Sequence, residues 1–178
     1  MYENESDPWG FETSEYERRK YSVTLASLPK AHYGAVFEPG CSIGVLTEKL
    51  ADRCDQLLAT DVVPTALQRA TCRLCNCPHV TIERRAIPEE WPEGPFDLVV
   101  LSEIAYYFDE EDLTRIISLI IRSTTVGANV IGVHWRGETD YPLSGDRTHE
   151  LVDATPQFDR IVLHVEPEFT LAVWERRS

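Results

Sequence analysis

Three groups of residues in this chain have types and spacings suited to binding or transforming a small molecule. The first is Glu38-Pro39-Gly40-Cys41-Ser42-Ile43-Gly44, an acid-x-Gly-x-x-x-Gly turn that follows the apolar run Ala35-Val36-Phe37. Gly40 lets the backbone turn tightly and approach a ligand, and Gly44 lets a following helix pack close to the turn. The spacing is not the G-x-G-x-x-G of dinucleotide enzymes. Asp61 lies 21 positions after Gly40, at the end of the next apolar segment, where an acid is placed to hold both hydroxyls of a ribose. The second group is Glu103 with Tyr106 and Tyr107, just after the apolar run 96–101. The third is His134-Trp135-Arg136, with Asp140, Asp146 and His149 beyond it. A carboxylate or an imidazole at a strand end can take a proton or hold a cation. Each residue alone also has an ordinary structural explanation. Asp61 could cap a helix, Glu103 could be a capping or salt-bridged acid, and His134 could be a satisfied core histidine.

The elements that must position these groups follow from periodicity and turn chemistry. Helices are expected over Ser14–Leu28, Ile43–Arg53, Pro64–Leu74, Glu110–Ser123 and Asp146–Ala154. Thr13 or Ser14 can cap the first, and Pro64 suits the first turn of the third. Strands are expected over 35–37, Gln56–Thr60, Val80–Arg84, Phe96–Leu101 and Asn129–His134, then near Arg160–Val165 and Phe169–Glu175. Strands alternating with helices imply parallel βαβ units, and the three residues between the last two strands imply a hairpin. The expected fold is α/β, a doubly wound, mostly parallel seven-stranded sheet with a C-terminal antiparallel hairpin. Ligands bind such sheets at the carboxyl ends of the strands, where Gly40, Asp61, Glu103 and His134 all fall.

With 178 residues and neither repeat nor linker, residues 1–178 read as one domain. A hydrophobic fraction of 43% argues against disorder. Thirty acids against 17 bases give a net charge of -13, which disfavours nucleic acid and anionic membrane and suits a cationic small molecule. No apolar run approaches the roughly 20 residues of a membrane helix. The acidic, polar N-terminus is neither a secretory signal nor a transit peptide, and five Cys read as reduced thiols, so a cytoplasmic location is expected. Cys72, Cys75, Cys77 and His79 lack a second ligand pair, so no metal is expected there. Residues 88–93 are acidic and Pro-bounded and read as a surface loop.

Residues 34–104 resemble the cofactor half of class I S-adenosylmethionine-dependent methyltransferases, with a Rossmann-like fold. Asp7-Pro8-Trp9, Tyr16-Glu17-Arg18, the Gly-Cys turn and Glu103-Ile104-Ala105-Tyr106-Tyr107 are closer still to the nodulation protein S (NodS) family, over roughly residues 7–125. That resemblance implies S-adenosyl-L-methionine as cofactor. It implies that Glu38, Gly40, Cys41 and Gly44 surround the methionine part and that Asp61, with Val62 beside it, holds the ribose. It puts Ala86 and Ile87 by the adenine and Ser102 by the methyl donor. Residues 1–30 would form a lid, with Trp9 covering the cofactor and Arg18 reaching its carboxylate. Residues 105–178 would form the substrate side. The implied reaction is N-methylation of a glucosamine-type amine. The residues themselves, by type and by place at the strand ends, offer Glu103, His134 and Tyr107 as candidate catalytic groups and Tyr106, Trp135, Asp140 and Asp146 as candidate acceptor contacts. O-methylation of a small hydroxylated metabolite, or nucleotide binding without transfer, remain the alternatives at this point.

Overall fold

The computed structural model describes residues 13–177. Seven strands form one sheet, in the order β3-β2-β1-β4-β5-β7-β6. They are β1 (Tyr33–Pro39), β2 (Cys54–Asp61), β3 (Val80–Arg84), β4 (Phe96–Ser102), β5 (Thr124–Trp135), β6 (Phe158–Val165) and β7 (Phe169–Arg176). The first five pair in parallel, and β7 runs antiparallel to both β5 and β6. The strand order reverses between β1 and β4, which opens a crevice at their carboxyl ends. Five α-helices accompany the sheet among the described residues: α1 (Glu15–Ser27), α2 (Val45–Ala51), α3 (Pro64–Arg73), α4 (Glu110–Ser123) and α5 (Gly145–Asp153).

Local chemistry sets the helix ends. Ser14 Oγ accepts from Glu17 N at 3.4 Å, and Asp109 caps α4 by accepting from Asp112 N at 2.9 Å. In α4, Leu113, Ile116, Ile117 and Ile120 recur at three- and four-residue steps and bury one helix face. Those side chains join Phe37, Val99, Val130 and Trp174 on one side of the sheet. Tyr21 and Leu28 of α1 and its C-cap, with Leu46 and Leu50 of α2, join Tyr33, Ile131 and Phe169 on the other.

Several strands run a residue or two longer than the sequence expectation, and three further differences have a visible cause. Helix α2 starts at Val45 rather than Ile43, because Ser42 and Gly44 both adopt positive φ. Strand β5 starts at Thr124 rather than Asn129, since Phe96 pairs with Thr124 before the register shifts. Residues 88–93 are not wholly surface: Trp91 packs edge-on against Phe37 at 5.0 Å, and its Nε1 donates to Ser123 Oγ at 2.9 Å.

Candidate active site

A cleft of about 790 Å³ opens at the carboxyl ends of β1, β2, β4 and β5, with α1 along one side. Its floor is the turn after β1. Gly40 has φ 73°, and a Cβ there would lie 2.6 Å from Ile104 Cδ1. The Gly40 and Cys41 amides both donate to Thr60 O, at 2.7 and 2.9 Å, which ties the turn to β2. Asp61 then fixes the far side of the turn. Its Oδ2 accepts from Ser42 N at 2.9 Å, and its Oδ1 accepts from Val63 N at 2.9 Å. A carboxylate oriented by two amides still has lone pairs for a diol. Gly44 serves the packing of helices instead, since a Cβ there would sit 3.1 Å from Ala70.

Glu38 lines the same cleft and is buried, and its Oε2 has no hydrogen-bond partner among the described residues. Burial pushes its pKa up to about 8. Burial likewise pushes the Cys41 thiol well up, so Cys41 is a cleft wall and not an activated nucleophile.

Glu103 sits at the tip of β4 with φ 54°, a conformation that turns its side chain into the cleft. Its Oε1 accepts from Lys20 Nζ at 2.6 Å, and its Oε2 accepts from Tyr106 Oη at 2.6 Å and from Trp135 N at 2.9 Å. Lys20 also donates to Glu17 Oε1 at 2.8 Å, and it is only 2% exposed. Helix α1 therefore delivers a buried cation to the cleft. Tyr107, Tyr141 and Trp135 line the mouth. Tyr141 stacks on Tyr106 at 5.0 Å and lies 4.4 Å from Tyr107. These rings offer flat apolar surface with polar edges.

His134 lies beneath this loop and does not line the cleft. Its Nε2 accepts from Ala105 N at 3.2 Å, and its Nδ1 is 3.0 Å from His149 Nε2. The amide donor fixes both tautomers. His134 must carry its proton on Nδ1 and give it to His149 Nε2. His149 then carries its own on Nδ1, which is buried without a partner among the described residues. Burial lowers their pKa values, to about 3 for His134 and about 2 for His149.

Of the residues singled out in the sequence, Glu38, Gly40, Cys41, Asp61, Val62, Ile87, Ser102, Glu103, Tyr106, Tyr107 and Trp135 line the cleft. Others do not. His134 cannot act as a base on a ligand, because both nitrogens are engaged in the core. Arg18 is exposed and pairs with Glu15 at 3.5 Å, and the side chain by which α1 brings a cation to the cleft is Lys20 instead. Asp146 is held by Arg136 at 2.9 Å, and Asp140 is likewise outside the lining. Ala86 donates its amide to Glu90, leaving Arg85 and Ile87 at the cleft. Trp9 lies outside the described residues. Sequence reasoning missed Lys20, Glu17 and Tyr141. The i,i+3 spacing of Glu17 and Lys20 was the available signal, but such pairs are common on exposed helix faces.

Comparison with known proteins identifies the family and the fold. Residues 3–131 match the sequence model of the family described as Nodulation protein S (NodS). Nodulation protein S of Rhizobium tropici is 30% identical over 127 residues, covering 70% of this chain and 53% of that protein. The chain thus spans about half the length of the curated relatives it matches. The crystal structure of a proposed methyltransferase from Pseudomonas syringae is 37% identical, with a TM-score of 0.82 over 92% of this chain and all of that one. The N-methyltransferase NodS of Bradyrhizobium japonicum WM9, solved with S-adenosyl-L-homocysteine, is 22% identical, with a TM-score of 0.85 over 98% of this chain and 94% of that one. The fold is that of class I methyltransferases, and the chain belongs to the nodulation protein S (NodS) family.

Proposed function

We propose that this chain is an S-adenosylmethionine-dependent N-methyltransferase whose acceptor is an amine of the amino-sugar type. The observation that carries the cofactor reading is the buried, unpartnered carboxylate oxygen of Glu38 beside the Gly40 turn and the oriented Asp61. These residues fit the cofactor: Asp61 for the ribose diol, the close-packed Gly40 turn for the chain next to it, and Glu38 for the α-ammonium group. The cofactor supplies a methyl group on a sulfonium, which makes alignment of the acceptor the main task of the protein.

Residues at the acceptor side suit that task. Tyr106 commits its proton to Glu103, so its phenol oxygen is left to accept a hydrogen bond from an acceptor N–H. Glu103, holding three donors, fixes Tyr106 and adds negative potential that attracts an ammonium group. Trp135, Tyr107 and Tyr141 provide faces on which a sugar ring can stack. The cytoplasm is the expected setting, and a small molecule the expected partner. A hydroxyl acceptor would call for a strong base, and the imidazole nearest this cleft, His134, is sealed below it.

Two measurements test the reading. Isothermal titration with S-adenosylhomocysteine should show binding that weakens at least tenfold in Asp61→Ala, a cost of about 1.4 kcal/mol. Mass spectrometry with S-adenosylmethionine and glucosamine or deacetylated chitooligosaccharides should show a gain of one CH2 on nitrogen. Failure to bind the cofactor product removes the reading; binding with methylation only on oxygen replaces the acceptor.

A further inference from the structure

Glu38 has an environment that the transfer step does not require. The side chain is 3% exposed, it faces the cleft, and Oε2 has no hydrogen-bond partner among the described residues. A buried carboxylate is normally paired with a cation or neutralised by a proton. The charged and titratable groups that face it are Asp61 of β2, Cys41 of the turn, Tyr21 of α1 and Cys54 at the start of β2. Thr47 of α2 brings a hydroxyl. None of these is a cation, and Asp61 is a second acid. Lys20 directs its hydrogen bonds to Glu17 and Glu103, and Arg85 is held by Glu83 at 2.6 Å.

We propose that Glu38 is a proton-exchanging cation subsite: its carboxyl holds a proton in the free protein, and an α-ammonium group entering the cleft takes the place of that proton, so capture releases one proton to solvent. The inference rests on the cofactor reading above and adds a linkage to it. No covalent bond changes beyond that proton; one O–H bond is ionised, and the ion pair of carboxylate and ammonium replaces it. Burial supports the same state, because it holds Glu38 protonated until about pH 8. Affinity for an ammonium ligand should then fall about tenfold for each pH unit below that point.

Titration calorimetry in buffers of different ionisation enthalpy reads the proton directly. With S-adenosylhomocysteine near pH 7, close to one proton should leave per molecule bound. With 5′-methylthioadenosine, which lacks the amino acid part, release should fall near zero on the unsubstituted chain. Glu38→Gln should bind S-adenosylhomocysteine without proton release and without the pH dependence between about 6 and 8. Binding of S-adenosylhomocysteine with no buffer-dependent heat overturns the inference alone, as does equal release by both ligands. Absence of any binding from about pH 6 to 9 removes the cofactor reading and the inference with it.

Discussion

Replacing His134 with Gln and His149 with Leu should make the protein markedly less sensitive to acid. Both imidazoles are buried neutral, with folded pKa values of about 3 and about 2 against 6.5 for the free group. A base whose folded pKa is depressed contributes stability that is complete above the unfolded value and is lost as pH falls towards the folded one. Between about pH 6.5 and 4.5 the unfolded chain takes up protons that the folded chain refuses. At about 1.4 kcal/mol per pH unit, each histidine then costs about 2 kcal/mol, and the pair roughly 4–5 kcal/mol. Glu38 acts in the opposite direction over the same interval. Its folded pKa is raised from 4.5 to about 8, so acidification favours the folded state by about 2 kcal/mol. The other titrating groups act alike in both proteins, so over this interval the double variant should lose roughly 4–5 kcal/mol less than the unsubstituted chain. Gln at position 134 keeps an acceptor for the Ala105 amide, which limits the cost of the substitution itself. Urea unfolding at the two pH values measures the difference, which should reach about 2 M in midpoint for a denaturant slope of about 2 kcal/mol/M. Parallel acid responses of the two proteins would refute the reasoning. Nitrogen-15 spectra of the imidazoles give an independent check, since both rings should carry the proton on Nδ1 near pH 7.

The remaining predictions concern the cleft. Gly40→Val places a Cβ 2.6 Å from Ile104 Cδ1 at φ 73° and should weaken S-adenosylhomocysteine binding more than tenfold, whereas Gly127→Ala, with nothing within 4 Å, should cost only about 1 kcal/mol of stability, measured by thermal melting, and no affinity. Lys20→Met leaves Glu17 and Glu103 without their shared cation and should cost about 3 kcal/mol in urea unfolding, with partial recovery in Lys20→Met/Glu103→Gln. Tyr141→Ala should raise the acceptor KM several-fold in a steady-state methylation assay while leaving the calorimetric affinity for S-adenosylhomocysteine unchanged, because the ring stands at the mouth with Tyr106 and Tyr107.

The parts of the site that are legible in the sequence are those fixed by backbone geometry. Gly40 and Asp61 stand out because a positive-φ turn and a strand-end acid leave a spacing that few other arrangements produce. The seven strands and their hairpin are legible for the same reason, since apolar runs and turns recur along the chain. Side-chain direction is harder. His134 stands at the end of β5, but alternation along the strand sends Trp135 to the cleft and His134 down towards His149 and Trp174. Lys20 escapes notice because α1 buries Glu17, Lys20, Tyr21 and Thr24, a largely polar face that periodicity reads as solvent-facing. Its partner Glu103 is 83 residues away, beyond the reach of any local pattern.

Strand β7 follows β6 in the chain yet lies inside it, between β5 and β6. Six of its residues in a row, Phe169 to Trp174, are buried on the two sides of the sheet. Until this strand docks, β5 has an open edge and β6 has no neighbour but β7 itself. Completing the sheet therefore requires β7 to pair with β5 across a long stretch of chain, a non-local step of the kind that slows folding. Until then six consecutive residues, with Thr170 the one polar side chain among them, are exposed to solvent, so the folding yield of this chain depends on how quickly β7 finds β5.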